Sequence, residues 1–361
     1  MERYEDPERV LHYKYQATNK SILDRVLKYW WGIAIRAVPI RASANLVSLI
    51  GNAFSFFSVA MLSGLIVGPM EKAGREKPWL FALVALGIFL YSTLDALDGI
   101  QARRTKSSGP LGEFVDHFFD CFNAFFFPLG MAAAFPQIPA FLVLIAICVC
   151  QIADWIVLLK VKVSNTLEFG YFSTDEAIFI LLGIYISVWL FGYDFWAASS
   201  GMAGLSRMTI LFLVMIFTYV GGGLYTLITA KLSCLSEIVT MIASFLPVAI
   251  WALVAERSIG RNAIIIAALL LGLYGSRFVA DLLRSRLVGL MAPRVYPDAL
   301  AASFLLLASA FLPELPSWLL YSAAGLFFVD IMVALVLQFT RTLLVIRKRL
   351  GIGLFGPLSI R

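Results

Sequence analysis

Beyond about residue 42 the chain alternates long apolar runs with short polar breaks. A helix rising 1.5 Å per residue needs about 20 apolar residues to cross the hydrocarbon of a bilayer. Windows of that size fall at 44–67, 79–98, 111–134, 138–159, 174–196, 207–230, 235–255, 262–283, 297–313 and 317–340. They predict an all-α polytopic membrane protein with about ten transmembrane helices. Ahead of them Ile22, Leu23, Val26, Leu27, Trp30, Ile33 and Ala34 recur at helical spacing, opposed by Asp24, Arg25, Lys28 and Arg36, with Ser21 placed as an N-cap. An apolar stripe beside a charged one predicts an interfacial amphipathic helix, with Trp30 and Trp31 at the headgroup level. The chain divides into an N-terminal segment with that helix (1–42), a helix bundle that carries the candidate chemistry (43–232) and additional transmembrane helices (233–361).

Composition agrees. Of 361 residues, 60% are hydrophobic and 14% charged, against roughly a quarter charged in soluble proteins. The polar opening MERYEDPERVLHYKYQ is unlike a signal peptide, so insertion is expected to begin with a retained helix. Cys121, Cys148, Cys150 and Cys234 lie in or beside apolar runs without metal-ligand spacing, which argues against a disulfide scaffold and a zinc site. The net charge of +6 does not call for nucleic acid, because Lys and Arg collect in the cytoplasmic loops of membrane proteins. Residues 1–42 hold eight of them, alternate loops hold Arg103, Arg104, Lys106, Lys160, Lys162, Lys231, Arg284, Arg286 and Arg294, and the C-terminal stretch holds Arg341, Arg347, Lys348, Arg349 and Arg361. This bias predicts both termini in the cytoplasm and an even number of crossings.

A charge inside the bilayer costs a few kcal/mol at minimum, so intramembrane acids are the first candidates for function. Most lie in one stretch, STLDALDGIQARRTKSSGPLGEFVDHFFDCFN. Asp95 and Asp98 are three apart and Asp116 and Asp120 four apart, so on helices each pair shares a face. Ser107, Ser108, Gly109 and Pro110 break the pattern between them and turn the chain back, letting the two acidic faces meet across an antiparallel hairpin. Four carboxylates in a low dielectric need neutralising, and hard divalent cations with oxygen ligands do this. The expected cofactor is Mg²⁺ or Mn²⁺, as two ions that leave coordination positions for substrate phosphates. Gly99, Ala102 and Gly112 lack bulk beside the acids, and Arg103 supplies a cationic fork for phosphate. Two plainer readings compete: the acids pair with Arg103, Arg104 and Lys106, or they line an ion-transport path.

The spacing resembles the signature of the CDP-alcohol phosphotransferase family, D-x2-D-G-x2-A-R-x8-G-x3-D-x3-D, complete here as Asp95, Asp98, Gly99, Ala102, Arg103, Gly112, Asp116 and Asp120. The resemblance implies that the four acids bind two divalent metals, that Gly99, Ala102, Arg103 and Gly112 line the CDP site, and that Asp120 is a candidate base. HYKYQATNKSILDRVLKYWW, RASANLVSLIG and GPLGEFVDH are similar to segments of the choline and ethanolamine branch, which adds Asn45 to the substrate-binding candidates. In that branch the His after the third acid is a proposed general base, supported by a Glu from a later helix. The matching residues are His117 and, in FGYFSTDEAIF, Glu176. The chain departs from the branch at Ala44, at Phe118 and Phe119, and at Ser173 and Asp175.

The resemblance implies transfer of phosphocholine or phosphoethanolamine from CDP-choline or CDP-ethanolamine to diacylglycerol, with release of CMP. Use of another CDP-alcohol or of CDP-diacylglycerol on the same fold is the nearest rival, and a cation transporter is the rival from another class. The active site is expected to face the cytoplasm, in the endoplasmic reticulum or Golgi of a eukaryote. Gly221, Gly222 and Gly223 would allow the close helix contact of a homodimer.

Overall fold

A computed structural model describes residues 8–13, 16–19, 21–169, 174–202, 204–311 and 316–353; Lys14, Tyr15, Ser173 and Arg361 lie outside them. Every apolar window carries a helix. The helices are α1 (Ile22–Ala34), α2 (Ala44–Leu62), α3 (Met70–Glu76), α4 (Trp79–Arg104), α5 (Pro110–Ala134), α6 (Ala140–Ser164), α7 (Thr174–Phe191), α8 (Tyr193–Ala197), α9 (Arg207–Thr229), α10 (Leu235–Ile259), α11 (Asn262–Val288), α12 (Pro297–Phe311) and α13 (Ser317–Leu350). Among the described residues, α2, α4, α6, α7, α9, α10, α11 and α13 are long and apolar enough to cross a membrane, eight where about ten were expected. Glu113, Asp116, His117, Asp120 and Asn123 dilute the apolarity of α5, and the described residues of α12 number 15 where a crossing needs about 20. The chain is an integral membrane protein. Its one described pairing of strands is short and parallel, joining β1 (Gln16–Asn19) to β2 (Thr166–Phe169).

Between helices in lipid, close packing and polar contacts replace the hydrophobic effect as the source of attraction. Glycine makes the approach possible at two crossings. A β-carbon on Gly87 of α4 would fall 2.2 Å from Ser58 Oγ and 3.2 Å from the Phe54 carbonyl, both on α2. On α11, a β-carbon at Gly272 would lie 2.2 Å from the Phe125 ring and one at Gly275 2.5 Å from Gln151 Cγ, which draws α11 against α5 and α6. From Leu270 to Val288 every residue of α11 is buried, which makes it the axle of the bundle.

Ser21 caps α1 as expected, accepting from the Asp24 N–H at 3.0 Å. Trp31 differs from expectation, while Trp30 stays partly exposed. Trp31 is buried with Leu27 against Val47 and Leu97, and Trp30 Nε1 donates to Thr93 Oγ1 at 3.1 Å, so the indoles dock α1 onto α4. The apolar residues of α1 that remain exposed are Ile22, Val26, Tyr29, Trp30 and Ile33. A helical pattern reports an apolar face without saying whether lipid or protein covers it.

Candidate active site

The acids sit on the arms of the α4–α5 hairpin. Helix α4 ends with Thr105 N and Ser107 N returning to the carbonyls of Gln101 (2.9 Å) and Ala102 (2.8 Å). Pro110 opens α5, where its missing N–H leaves nothing unsatisfied. The reversal between them is the expected one, and it brings the two acidic faces together. Carboxylate oxygens of Asp95, Asp98 and Asp116 lie within 4.8 Å of one another, and so do ligand atoms of Asp116, His117 and Asp120. Asp116 belongs to both groups and joins them.

Each acid is held differently. Asp98, 8% exposed, accepts a hydrogen bond from Ser48 Oγ on α2. Asp120 Oδ1 accepts from the Tyr91 hydroxyl at 3.0 Å, and its Oδ2 lies 3.8 Å from His117 Nδ1. Asp95 Oδ1 and Asp116 Oδ1 are buried with no hydrogen-bond partner. Orphaned oxygens on clustered carboxylates are unfavourable without a counter-charge, and a set of hard oxygen donors fits a divalent cation such as Mg²⁺ or Mn²⁺. Among the described residues no ion pair joins Arg103, Arg104 or Lys106 to the four acids. Arg104 donates instead to the carbonyls of Ile35 (3.2 Å) and Val38 (3.1 Å).

The small residues keep the approach open. Arg103 is exposed and lies over Gly99, whose β-carbon position is 3.5 Å from Nη1. Half-buried Ala102 is adjacent, and Gly112 opens toward Asn45, with Oδ1 3.7 Å from its β-carbon position. Glu176 is engaged elsewhere: it accepts from Ser21 Oγ at 2.6 Å and from the Leu23 N–H at 3.0 Å, pinning the start of α1. Its neighbour Asp175 is the one within electrostatic reach of Asp95. The unusual aromatic pair belongs to packing: Phe118 and Phe119 meet Phe339 of α13 at centroid distances of 4.8 and 5.9 Å.

A polar chain behind the acids escaped the sequence reading. Ser55 Oγ donates to Asn123 Oδ1 (2.5 Å), Asn123 Nδ2 to Asn52 Oδ1 (2.8 Å), and Asn52 Nδ2 to the Ser48 carbonyl (3.0 Å), ending at Asp98 through Ser48. The signal was available, since Ser48, Asn52 and Ser55 recur at i, i+4 and i+7 along an apolar helix. Asp154 of α6, also passed over, stands within electrostatic reach of Asp120 and His117.

Known proteins carry similar sequence. The chain is 30% identical over 224 residues to cholinephosphotransferase 1 of Danio rerio, covering 60% of this chain and 56% of the relative. It is 32% identical over 188 residues to an uncharacterized CDP-alcohol phosphatidyltransferase class-I family protein of Schizosaccharomyces pombe (51% and 48%), and 30% identical over 194 residues to cholinephosphotransferase 1 of Homo sapiens (52% and 46%). Relatives and motif point to one family. The names of these relatives match the family and the branch that the motif resembles. No family model matches the chain. It spans about half the length of the curated relatives it matches.

Proposed function

We propose that the chain transfers phosphocholine or phosphoethanolamine from a CDP-alcohol to the 3-hydroxyl of diacylglycerol, releasing CMP and leaving phosphatidylcholine or phosphatidylethanolamine. The observation that carries this reading is the meeting of Asp95, Asp98, Asp116 and Asp120 at the turn of the α4–α5 hairpin, in the family's own spacing. These four would hold one or two divalent cations, whose charge, when bound, offsets the negative charge that develops on the pyrophosphate and the leaving CMP oxygen. Arg103 offers a fork of N–H donors to a phosphate oxygen. Gly99, Ala102 and Gly112 leave backbone open for the nucleotide, and Asn45, facing Gly112, offers an amide to it.

A lipid hydroxyl is a weak nucleophile at neutral pH, so its proton must be accepted as the oxygen attacks the β-phosphorus. We assign this to neutral His117, with Asp120, tied by Tyr91, close enough to favour the imidazolium that results. A new P–O bond forms to the acceptor oxygen, the bond to the CMP oxygen breaks, and the proton leaves through His117 to solvent. Asp120 is the rival base. The acids lie within about three turns of the helix ends at the hairpin, where a soluble nucleotide can reach them and a diacylglycerol hydroxyl can arrive from the leaflet. With the positive charges clustered at that end, we infer a cytoplasmic site.

The test is CMP release by purified protein in nanodiscs containing diacylglycerol, with CDP-choline and CDP-ethanolamine offered separately. The expected result is turnover with at least one donor that stops in EDTA and returns with Mg²⁺ or Mn²⁺. Cation movement across sealed vesicles with no CMP formed from any CDP-alcohol would favour the transporter reading.

A further inference from the structure

Asp154 of α6 stands apart from the four acids of the hairpin. Helix α6 runs antiparallel to α5, and Gln151 sets their register, its Nε2 donating to the Cys121 carbonyl at 3.3 Å. Asp154 lies three residues beyond Gln151 toward the hairpin end, and His117 lies four residues before Cys121 toward the same end. At 1.5 Å per residue the two stand level to within about 1.5 Å along the helices. Asp154 accordingly comes within electrostatic reach of His117, Asp120 and Cys121, three residues on one face of α5.

Its carboxylate is uncommitted. Half-buried Asp154 belongs to neither group of acids close enough to share an ion, and among the described residues it accepts no hydrogen bond and forms no ion pair. Tyr219 of α9 is within electrostatic reach of it, hydrogen-bonded to Cys150 one turn away on α6. A carboxylate near an aromatic ring attracts an ammonium group, by its charge and by the ring's quadrupole. The proposed reaction brings such a group to this place. In an in-line displacement the attacking and leaving oxygens lie on either side of the β-phosphorus, so the alcohol that stays on the phosphorus projects sideways. Choline and ethanolamine carry their positive nitrogen two carbons beyond the ester oxygen, near the reacting centre but clear of the metal-binding oxygens. Asp154, level with His117 and outside the acid groups, is placed to meet it.

We propose that Asp154 is a specificity-determining residue whose carboxylate receives the positive nitrogen of the transferred phosphoalcohol, with Tyr219 beside it. The inference rests on the proposed transfer and concerns which alcohol is accepted, not the chemistry at phosphorus. The test compares a cationic donor, CDP-choline or CDP-ethanolamine, with its carbon isostere, in which carbon replaces the nitrogen and the charge is lost. CMP release and equilibrium binding are measured for both ligands with Mg²⁺ in nanodiscs, for the wild type, Asp154→Asn and Asp154→Glu. The wild type should favour the cationic donor in KM and Kd. Asp154→Asn should weaken that donor by about tenfold or more, the scale of a contact with a charged group, while the isostere changes little. Asp154→Glu keeps the charge and should retain the preference. The ratio between the two ligands is what is read, so a loss of folded protein, common to both, does not imitate the effect. An unchanged ratio in Asp154→Asn, or an equal loss of kcat on both ligands as expected of a residue that only positions His117, would overturn the proposal. A wild type that releases CMP from none of the donors would overturn the proposed transfer itself, and this assignment with it.

Discussion

Neutralising Asp116 should make the protein more stable without metal and inactive with it. The oxygens of Asp95, Asp98 and Asp116 lie within 4.8 Å of one another, so each pair of full charges repels by about 3.5 kcal/mol or more at an effective dielectric of about 20. Asp116→Asn removes two of these pairs. Solvent at the half-buried oxygens reduces the effect, and a few kcal/mol should survive. Asp116 Oδ1 accepts no hydrogen bond, and an asparagine amide can donate to the remaining carboxylates. Thermal unfolding in EDTA should therefore rise in the variant by on the order of 2–5 °C. Adding Mg²⁺ should reverse the ranking, raising the wild type by mass action and the variant little. CMP release should fall by about 10²-fold or more, the scale of deleting one electrostatic contact at a reacting phosphate. A variant that melts below wild type in EDTA, or gains as much from Mg²⁺, would refute the reasoning that these acids are poised for a cation.

Four further outcomes follow. His117→Ala should lower kcat by roughly 10²- to 10⁴-fold with CDP-alcohol binding largely kept; a normal kcat would pass the role to Asp120. Ser48→Ala takes the donor from Asp98 and cuts the α2 polar chain, so the Mg²⁺ concentration for half-maximal rate should shift by about tenfold, and an unchanged Mg²⁺ titration would leave the chain purely structural. Glu176→Ala should expose residues 21–34 to faster hydrogen exchange, while a loss of kcat with α1 still protected would restore a catalytic part for Glu176. Arg286→Ala strands a buried Glu113 and should cost about 3–5 kcal/mol of stability, which Glu113→Gln in the same chain should partly return.

The elements that could be read from sequence are those whose cause is local. Run length fixed the helices, and the gaps within DALDGIQARRTKSSGPLGEFVDHFFD put the acids on one hairpin, because helical spacing and a Ser-Ser-Gly-Pro break need no knowledge of the rest of the chain. What escaped depends on pairing between distant segments. Glu176 meets Ser21 across 155 positions, and Asn123 meets Ser55 across 68. The short helix α3 escaped for another reason: it sits in a polar connection, tied by Arg75 to Asp194 of α8 at 2.7 Å, where no apolar period marks it, and α8 lies within the window that the sequence joins to α7. Trp31 belongs with the distant pairings, because its burial depends on Val47 of α2 and Leu97 of α4 lying against it.

The same distinction bears on the helices after residue 232, which the sequence marks only as additional transmembrane helices. Packing makes them part of the site's support. The acid-bearing helix α5 is aromatic along its length, and Phe118, Phe114 and Phe125 are buried against Phe339 of α13 and Gly272 of α11. Its first turn is fixed by Arg286 to Glu113 and by the Tyr13 hydroxyl to the same carboxylate at 2.5 Å, while Val10 is buried in the main core. A helix carrying Asp116 and Asp120 into a low dielectric is pushed apart from α4 by its own charges, so its position has to be imposed from outside the hairpin. The N-terminal strap on one side and α11 with α13 on the other impose it. The departures at Phe118 and Phe119 then follow from that support, because small residues there would leave α13 with nothing to press against.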